Sequence, residues 1–302
     1  MKASPRVIAI IIMFVASAIW GATFVTQRVA GEHMGAFTYN GVRFLLGSLS
    51  LLPVIFLLER RDKTNTEKPA NLKITWVAGV LGGLILFFAA NLQQFGIVLS
   101  QSPTASSEAG FITGMYIVFV PLLGLFLRRR VSPVVWLSAI LAFSGLALIT
   151  MGPGGFASIQ PSDVLLVVGA VFWAVHILLI DRYVARMRPI SFVSIQFLIC
   201  GVLSLAVALI FETITLEGLY GGLWMLLYGG ILASGVAYTF QTLGQRYIEP
   251  ALAAIILSLE SLFAAISEAA FLGETMTPQK YLGGAIIFVG IILAQYKRKP
   301  KQ

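Results

Sequence analysis

Ala18-Ile19-Trp20-Gly21 is followed, 23 residues beyond its Trp, by Arg43-Phe44-Leu45-Leu46; Val171-Phe172-Trp173-Ala174 is followed, 23 residues beyond its Trp, by Gln196-Phe197-Leu198-Ile199. The chain carries one pattern twice. A second echo follows: Leu127-Arg128-Arg129-Arg130-Val131-Ser132-Pro133 against Leu272-Gly273-Glu274-Thr275-Met276-Thr277-Pro278, basic in the first copy and acidic in the second. Internal repeats whose end charges change sign are the trace of a duplicated unit threaded through a membrane in two opposite directions.

Composition agrees. The chain is 58% hydrophobic and 11% charged, with mean hydropathy +0.90, whereas a soluble domain carries about 25% charged residues. Most of its surface must therefore face lipid. The net charge of +8 is no nucleic-acid footprint, because the basic residues sit in short loops and form no groove. Cys200 is a lone cysteine in an apolar run, which excludes a cysteine metal cluster. No cleavable signal is expected, since the run from Ala9 to Thr26 is long enough to span.

Ten apolar runs are candidates to cross the hydrocarbon, which takes about 20 residues: 7–27, 36–58, 74–99, 104–127, 134–151, 163–180, 190–211, 222–244, 251–272 and 281–296. The expected fold is an all-α integral membrane protein of ten transmembrane helices in two inverted five-helix repeats, 1–152 and 153–302, joined at Met151-Gly152-Pro153-Gly154-Gly155. Lys and Arg set the direction. With the N-terminus inside, 18 of the 21 basic residues are cytoplasmic, Arg28 and Lys280 are outside, and Arg43 is within the membrane. Both termini are expected in the cytoplasm. An odd number of crossings per copy inverts the second copy against the first.

Taken in order, certain stretches resemble the EamA family of the drug/metabolite transporter superfamily over nearly the whole chain. They are Trp20-Gly21-Ala22-Thr23-Phe24, Val42-Arg43-Phe44 and Ala109-Gly110-Phe111-Ile112-Thr113-Gly114 in the first copy, and Gln245-Arg246-Tyr247, Leu257-Ser258-Leu259-Glu260-Ser261 and Phe271-Leu272-Gly273-Glu274 in the second. The resemblance implies a substrate cavity between two inverted bundles, alternating access, and transport of small metabolites, often outward, amino acids among them. It implies a bacterial inner-membrane location and names no substrate. The family usually has Pro after the glutamate of the ninth segment; Ser261 stands there.

Ionisable groups inside a membrane cost about 2.5–3.5 kcal/mol each on insertion scales and are functional candidates for that reason. Four qualify: Arg43, Glu108, Glu260 and Glu268. Glu260 lies about 15 Å down its segment at helical rise, near the midplane. A carboxyl in a low-dielectric cavity can cycle between protonated and charged forms, which makes Glu260 a candidate proton or cationic-substrate site. The alternative is a carboxyl bonded to a neighbouring helix that never titrates. Arg43, Glu108 and Glu268 share the outer leaflet. An unpaired Arg there is costly, so Arg43 is expected to pair with Glu108 or Glu268 as an outer gate, the alternative being snorkelling to headgroups.

Laying Gly96 on Gly244 superposes Gln93 on Gln241 and Asn91 on Thr239. The two glutamines are candidates to line the cavity from opposite sides, against plain inter-helical hydrogen bonding. Trp20 and Trp173 are candidates for an aromatic wall, against plain packing. Gly79/Gly83 and Gly110/Gly114 mark close helix contacts. His176 reads as a hydrogen-bonded core histidine.

The sequence has no Walker loop, GxSxG, HExxH or CxxC, and no metal or cofactor is expected. The expected function is a secondary transporter, an exporter of a small metabolite such as an amino acid. A facilitative channel or lipid flippase on the same scaffold is the alternative. A membrane-embedded enzyme is disfavoured, because the two histidines are far apart and no segment holds paired aspartates. The expected partners are a small-molecule substrate and the lipid bilayer, with no nucleic acid; proton coupling and a homodimer stay open.

Overall fold

A computed structural model describes residues 4–62, 71–102, 105–129, 131–150, 160–273, 275 and 277–294. Ten helices follow one another: α1 Pro5–Ala30, α2 Ala36–Asp62, α3 Leu72–Leu99, α4 Ala105–Phe126, α5 Pro133–Thr150, α6 Pro161–Tyr183, α7 Pro189–Phe211, α8 Leu223–Gly244, α9 Pro250–Leu272 and α10 Pro278–Ala294. A short helix, Leu216–Gly221, precedes α8. Among the described residues there is no strand. Each expected segment is present, and the junction at 151–155, with Arg130, Glu274 and Met276 of the second echo, lies outside the described residues.

Local chemistry sets the ends. Six helices begin on proline, whose fixed φ and missing N–H suit the first helical position. The start of α2 is capped from a distance: the Phe37 and Thr38 N–H groups and the Thr38 hydroxyl donate to the Glu212 carboxylate at 2.9, 2.8 and 2.7 Å. Eight helices are long and apolar enough to cross a membrane. The other two, α5 and α10, have 18 and 17 residues, at the lower end of spanning length. Phe56, Leu57, Phe126, Phe211, Trp224 and Ile292 point outward and exposed, the surface a lipid solvent demands.

The packing has a pseudo-two-fold relation. Helices α2 and α7 pair directly, as do α5 and α10; α3–α6 is answered by α8–α1, α4–α6 by α9–α1, and α3–α7 by α8–α2. Exchanging the first five helices for the last five leaves this network unchanged. The self-paired helices run antiparallel, so the repeats are inverted. In one pair Gly41 meets Leu205 while Gly201 meets Leu45. In the other, a Cβ on either Gly145 or Gly283 would stand 2.5 Å from the other's carbonyl oxygen, so only glycine permits this crossing. The expected glycine contacts also form: Gly79 and Gly83 lie on Ile195 and Ile199, Gly110 on Ser261 and Ala264, and Gly114 on Leu146.

The second sequence echo reappears in the backbone. Arg128 and Gly273, matched positions just past α4 and α9, both adopt left-handed φ, 57° and 76°. Three helices also depart from the uninterrupted spans that hydropathy predicts. Helix α4 breaks at Met115, and α9 breaks at Ser258 and Leu259; the N–H groups of Met115, Leu259 and Ser261 bond the carbonyl three residues back. Helix α8 is wound as a π-helix over Tyr228–Tyr238, and the Ser234 hydroxyl bonds the carbonyl of Gly229, five residues earlier, at 2.7 Å.

Candidate functional site

All three irregular helices border one central cavity. Its wall is built from both repeats: Trp20, Thr23, Phe24 and Gln27 of α1, Arg43 of α2, Gln93 of α3, and Thr113 and Tyr116 of α4. Trp173 and Ile177 of α6, Tyr238 and Gln241 of α8, and Leu257 and Glu260 of α9 complete it. Broken helices at mid-membrane are where inverted-repeat carriers place their ligands, because irregular backbone is tolerated there only beside a cavity. The cavity volume is about 50 Å³, room for a few waters rather than a metabolite.

Trp20, Gln93, Trp173, Gln241 and Glu260 all stand on this one wall. Glu260 is the first residue of the second half of α9 and Tyr116 the first of the second half of α4. The Tyr116 hydroxyl donates to Glu260 Oε1 at 3.0 Å, and the Ser261 hydroxyl ties α9 to the Gly110 carbonyl of α4 at 2.5 Å. The Trp173 indole N–H donates to Gln93 Oε1 at 2.7 Å, and Gln93 Nε2 donates to Gln27 Oε1 at 3.2 Å. The Trp20 indole instead donates to the Ala233 carbonyl in the π segment at 2.9 Å. Between the indoles stands Tyr238, its ring centroid 4.7 Å from Trp20 and 6.2 Å from Trp173.

Part of the wall is unsatisfied from within. Among the described residues, Gln27 Nε2, Gln241 Oε1 and Thr113 Oγ1 are buried and have no hydrogen-bond partner. Buried polar atoms are normally bonded, and leaving one unpaired costs about 1–3 kcal/mol. A donor, an acceptor and a hydroxyl thus face a small polar space beside a guanidinium and a carboxyl.

Arg43 differs from expectation. It reaches the cavity wall but meets neither Glu108 nor Glu268. Its Nε donates to Asn40 Oδ1 at 2.8 Å, and its guanidinium carbon lies 5.0 Å and 4.5 Å from the Tyr39 and Phe44 ring centroids. Asn40 is held by Asn91 at 2.9 Å, and Asn91 by Ser204 at 2.9 Å, which locks α2, α3 and α7 behind the arginine. Two aromatic faces and an amide satisfy the cation without a carboxylate. Those two carboxylates have other partners: Ser102 donates to Glu108 at 2.7 Å, while Glu268 takes the Ser107 hydroxyl and an ion pair with Arg28 at 3.6 Å. Asn91, set against Thr239 by the repeat, serves this lattice rather than the cavity. His176 is fully buried and shares a 2.8 Å bond with Gln196, as a core histidine does.

Periodicity did not indicate Thr23, Gln27, Thr113, Tyr116 or Tyr238. Thr23 and Thr113 lie within the stretches that resemble the family, and Gln27, Tyr116 and Tyr238 are polar residues within apolar segments.

Ten helices in inverted repeats around a shared polar cavity define the inverted-repeat membrane carriers. The EamA-like transporter family matches this chain twice, over residues 7–151 and 160–296. The chain belongs to that family and is a multi-pass membrane transporter. It is 28% identical over 285 residues to an uncharacterized transporter of Archaeoglobus fulgidus, covering 92% of this chain and 83% of that protein. To the uncharacterized transporter YwfM of Bacillus subtilis it is 26% identical, covering 96% and 94%. To the uncharacterized inner membrane transporter YedA of Escherichia coli K12 it is 25% identical, covering 93% and 88%. A solved crystal structure shares the fold at TM-score 0.75 and 18% identity, over 95% of both chains.

Proposed function

We propose that this protein is a secondary transporter that exports a small amphipathic metabolite, such as an amino acid, by alternating access through the central cavity. The repeats are read as residues 1–152 and 153–302, in a bacterial inner membrane with both termini in the cytoplasm. The observation that carries the reading is the wall itself. Gln27, Thr113 and Gln241 offer unpaired hydrogen-bonding atoms, Arg43 and Glu260 offer opposite charges, and Trp20, Trp173 and Tyr238 offer aromatic faces, all on one cavity. A ligand with polar, charged and apolar parts complements that set. Glu260 is the candidate coupling carboxyl, since protonation changes the charge of a site from which most water is excluded.

Counterflow in proteoliposomes tests this. Amino acids, polyamines and nucleosides are offered in turn, with and without a pH gradient. Saturable counterflow of an amphipathic amine or amino acid, lowered about tenfold in Gln241→Leu, is expected. No counterflow above empty liposomes for every class overturns the assignment.

A further inference from the structure

Two ion pairs stand on opposite faces of the molecule, each made by the first helix of a repeat. Arg28 of α1 meets Glu268 of α9 at 3.6 Å, and Arg129, just past α4, meets Asp181 of α6 at 2.5 Å. Helices α1 and α6 are counterparts in the two repeats. Trp20 and Trp173 are separated by 153 residues, and so are Arg28 and Asp181. Each pair joins the first helix of one repeat to the fourth helix of the other or to the residues just past it, with the charges exchanged; Arg28 and Asp181 are direct counterparts, whereas Arg129 matches position 274 rather than Glu268 in the second echo. Counting crossings along the chain puts the ends of α1 and α9 on one face and the ends of α4 and α6 on the other.

Both pairs bracket the cavity. Arg28, Glu268 and Asp181 each lie eight residues beyond a cavity residue on their own helix, Trp20, Glu260 and Trp173 respectively, which is about 12 Å at helical rise. Gln27, beside Arg28, is the last cavity-lining residue of α1, and Ile177, one turn before Asp181, is the last of α6. On the Arg129 face a second cavity of about 260 Å³ opens among Val120, Leu178, Glu249 and Arg129 itself. One helical turn on α4, from Tyr116 to Val120, and a single residue on α6, from Ile177 to Leu178, separate it from the central one. The structure has both pairs made and a central volume of about 50 Å³, too small for a metabolite.

We propose that Arg28–Glu268 and Arg129–Asp181 are matched gates, one per face, and that breaking either pair opens the central cavity to that face alone. The Arg129–Asp181 gate separates it from the larger vestibule. The proposal rests on the alternating-access reading. In it, charge exchange between the repeats gives each face of one inverted scaffold its own pair. Both arginines are about one-third exposed, 31% and 35%, so each contact is strong enough to bias a conformation and weak enough to exchange.

The test uses the full-length protein with Cys200→Ala and a single probe cysteine, Thr113→Cys, in membrane vesicles of both orientations. A membrane-impermeant thiol reagent reports access from each face. Arg28→Gln is expected to raise the ratio of labelling from its own face to labelling from the other by about two- to fivefold, the range a partly exposed ion pair supplies. Arg129→Gln is expected to move the ratio as far the other way, and Asp181→Asn to follow Arg129→Gln. Thr113→Cys labelled from both faces in the parent, with ratios that these variants leave unchanged or shift in one common direction, overturns the gates and leaves alternating access standing. No labelling from either face in any variant overturns alternating access and the gates together.

Discussion

Tyr116 and Glu260 each open the second half of a broken helix, and the phenol of one bonds the carboxyl of the other at 3.0 Å. This contact joins the two repeats at the level where α4 and α9 lose their regular winding. A movement of either half-helix must act on it, and so must a change in charge on Glu260. Glu260→Gln keeps the size and can still accept from Tyr116. The variant is expected to reach the membrane in parent amounts and to lose the pH dependence of transport. The measurement is counterflow across the neutral range, and an unaltered pH profile removes Glu260 as the coupling carboxyl.

Two substitutions on the wall should separate structure from ligand binding. Trp173→Phe deletes the N–H that Gln93 Oε1 accepts at 2.7 Å. It strands a buried amide at a cost of about 1–3 kcal/mol, which should appear as a lower melting temperature in detergent. Gln241→Leu removes an Oε1 with no protein partner among the described residues. Stability should hold or rise, while counterflow falls about tenfold, the equivalent of one lost hydrogen bond to a ligand. A parallel drop in melting temperature for both variants would show Gln241 to be structural.

The matched left-handed positions give a stability test free of function. Gly273 has φ 76° and open space where a Cβ would point, so Gly273→Ala should cost about 1 kcal/mol through backbone conformation alone. Arg128 already bears that strain at φ 57°. Arg128→Gly should stabilise by up to about 1 kcal/mol. Opposite shifts in thermal unfolding are the expected result.

Topology is open to reporter fusions. A reporter active only outside should be silent after Gln302 and active between α7 and α8. The insertion belongs between Thr213 and Ile214, because Glu212 caps α2 and Thr215 caps the next helix at 3.1 Å. Activity after Gln302 would reverse the orientation.

Duplication made much of this legible in the sequence. Trp20, Trp173, Gln93 and Gln241 were found because each repeat points to its twin, and all four reach the cavity. The helix breaks were not legible: neither Met115 nor Leu259 is a proline, and hydropathy runs straight through them. Tyr116 and Tyr238 were missed because a helix apolar on every side gives no clue to which side faces inward. Arg28 stood among the basic residues counted for orientation, and only tertiary packing sets it against Glu268.

Arg43 shows how far charge counting reaches. Carboxylates in the same leaflet suggested a partner, yet Asn40 lies one turn earlier on the same helix and Phe44 is the next residue along. Those local groups satisfy the guanidinium. Arg43→Glu should therefore impair transport, and adding Glu268→Arg should not restore it, because that change also breaks the pair with Arg28 and the bond from Ser107. Asn40→Leu should reproduce part of the Arg43→Glu defect. It frees Nε and removes the bond to Asn91, while leaving the cation in place. The readout is counterflow at matched protein levels. Rescue by the double charge swap would return Arg43 to an outer gate; a defect in Asn40→Leu without rescue would fix its place as the cavity's held cation.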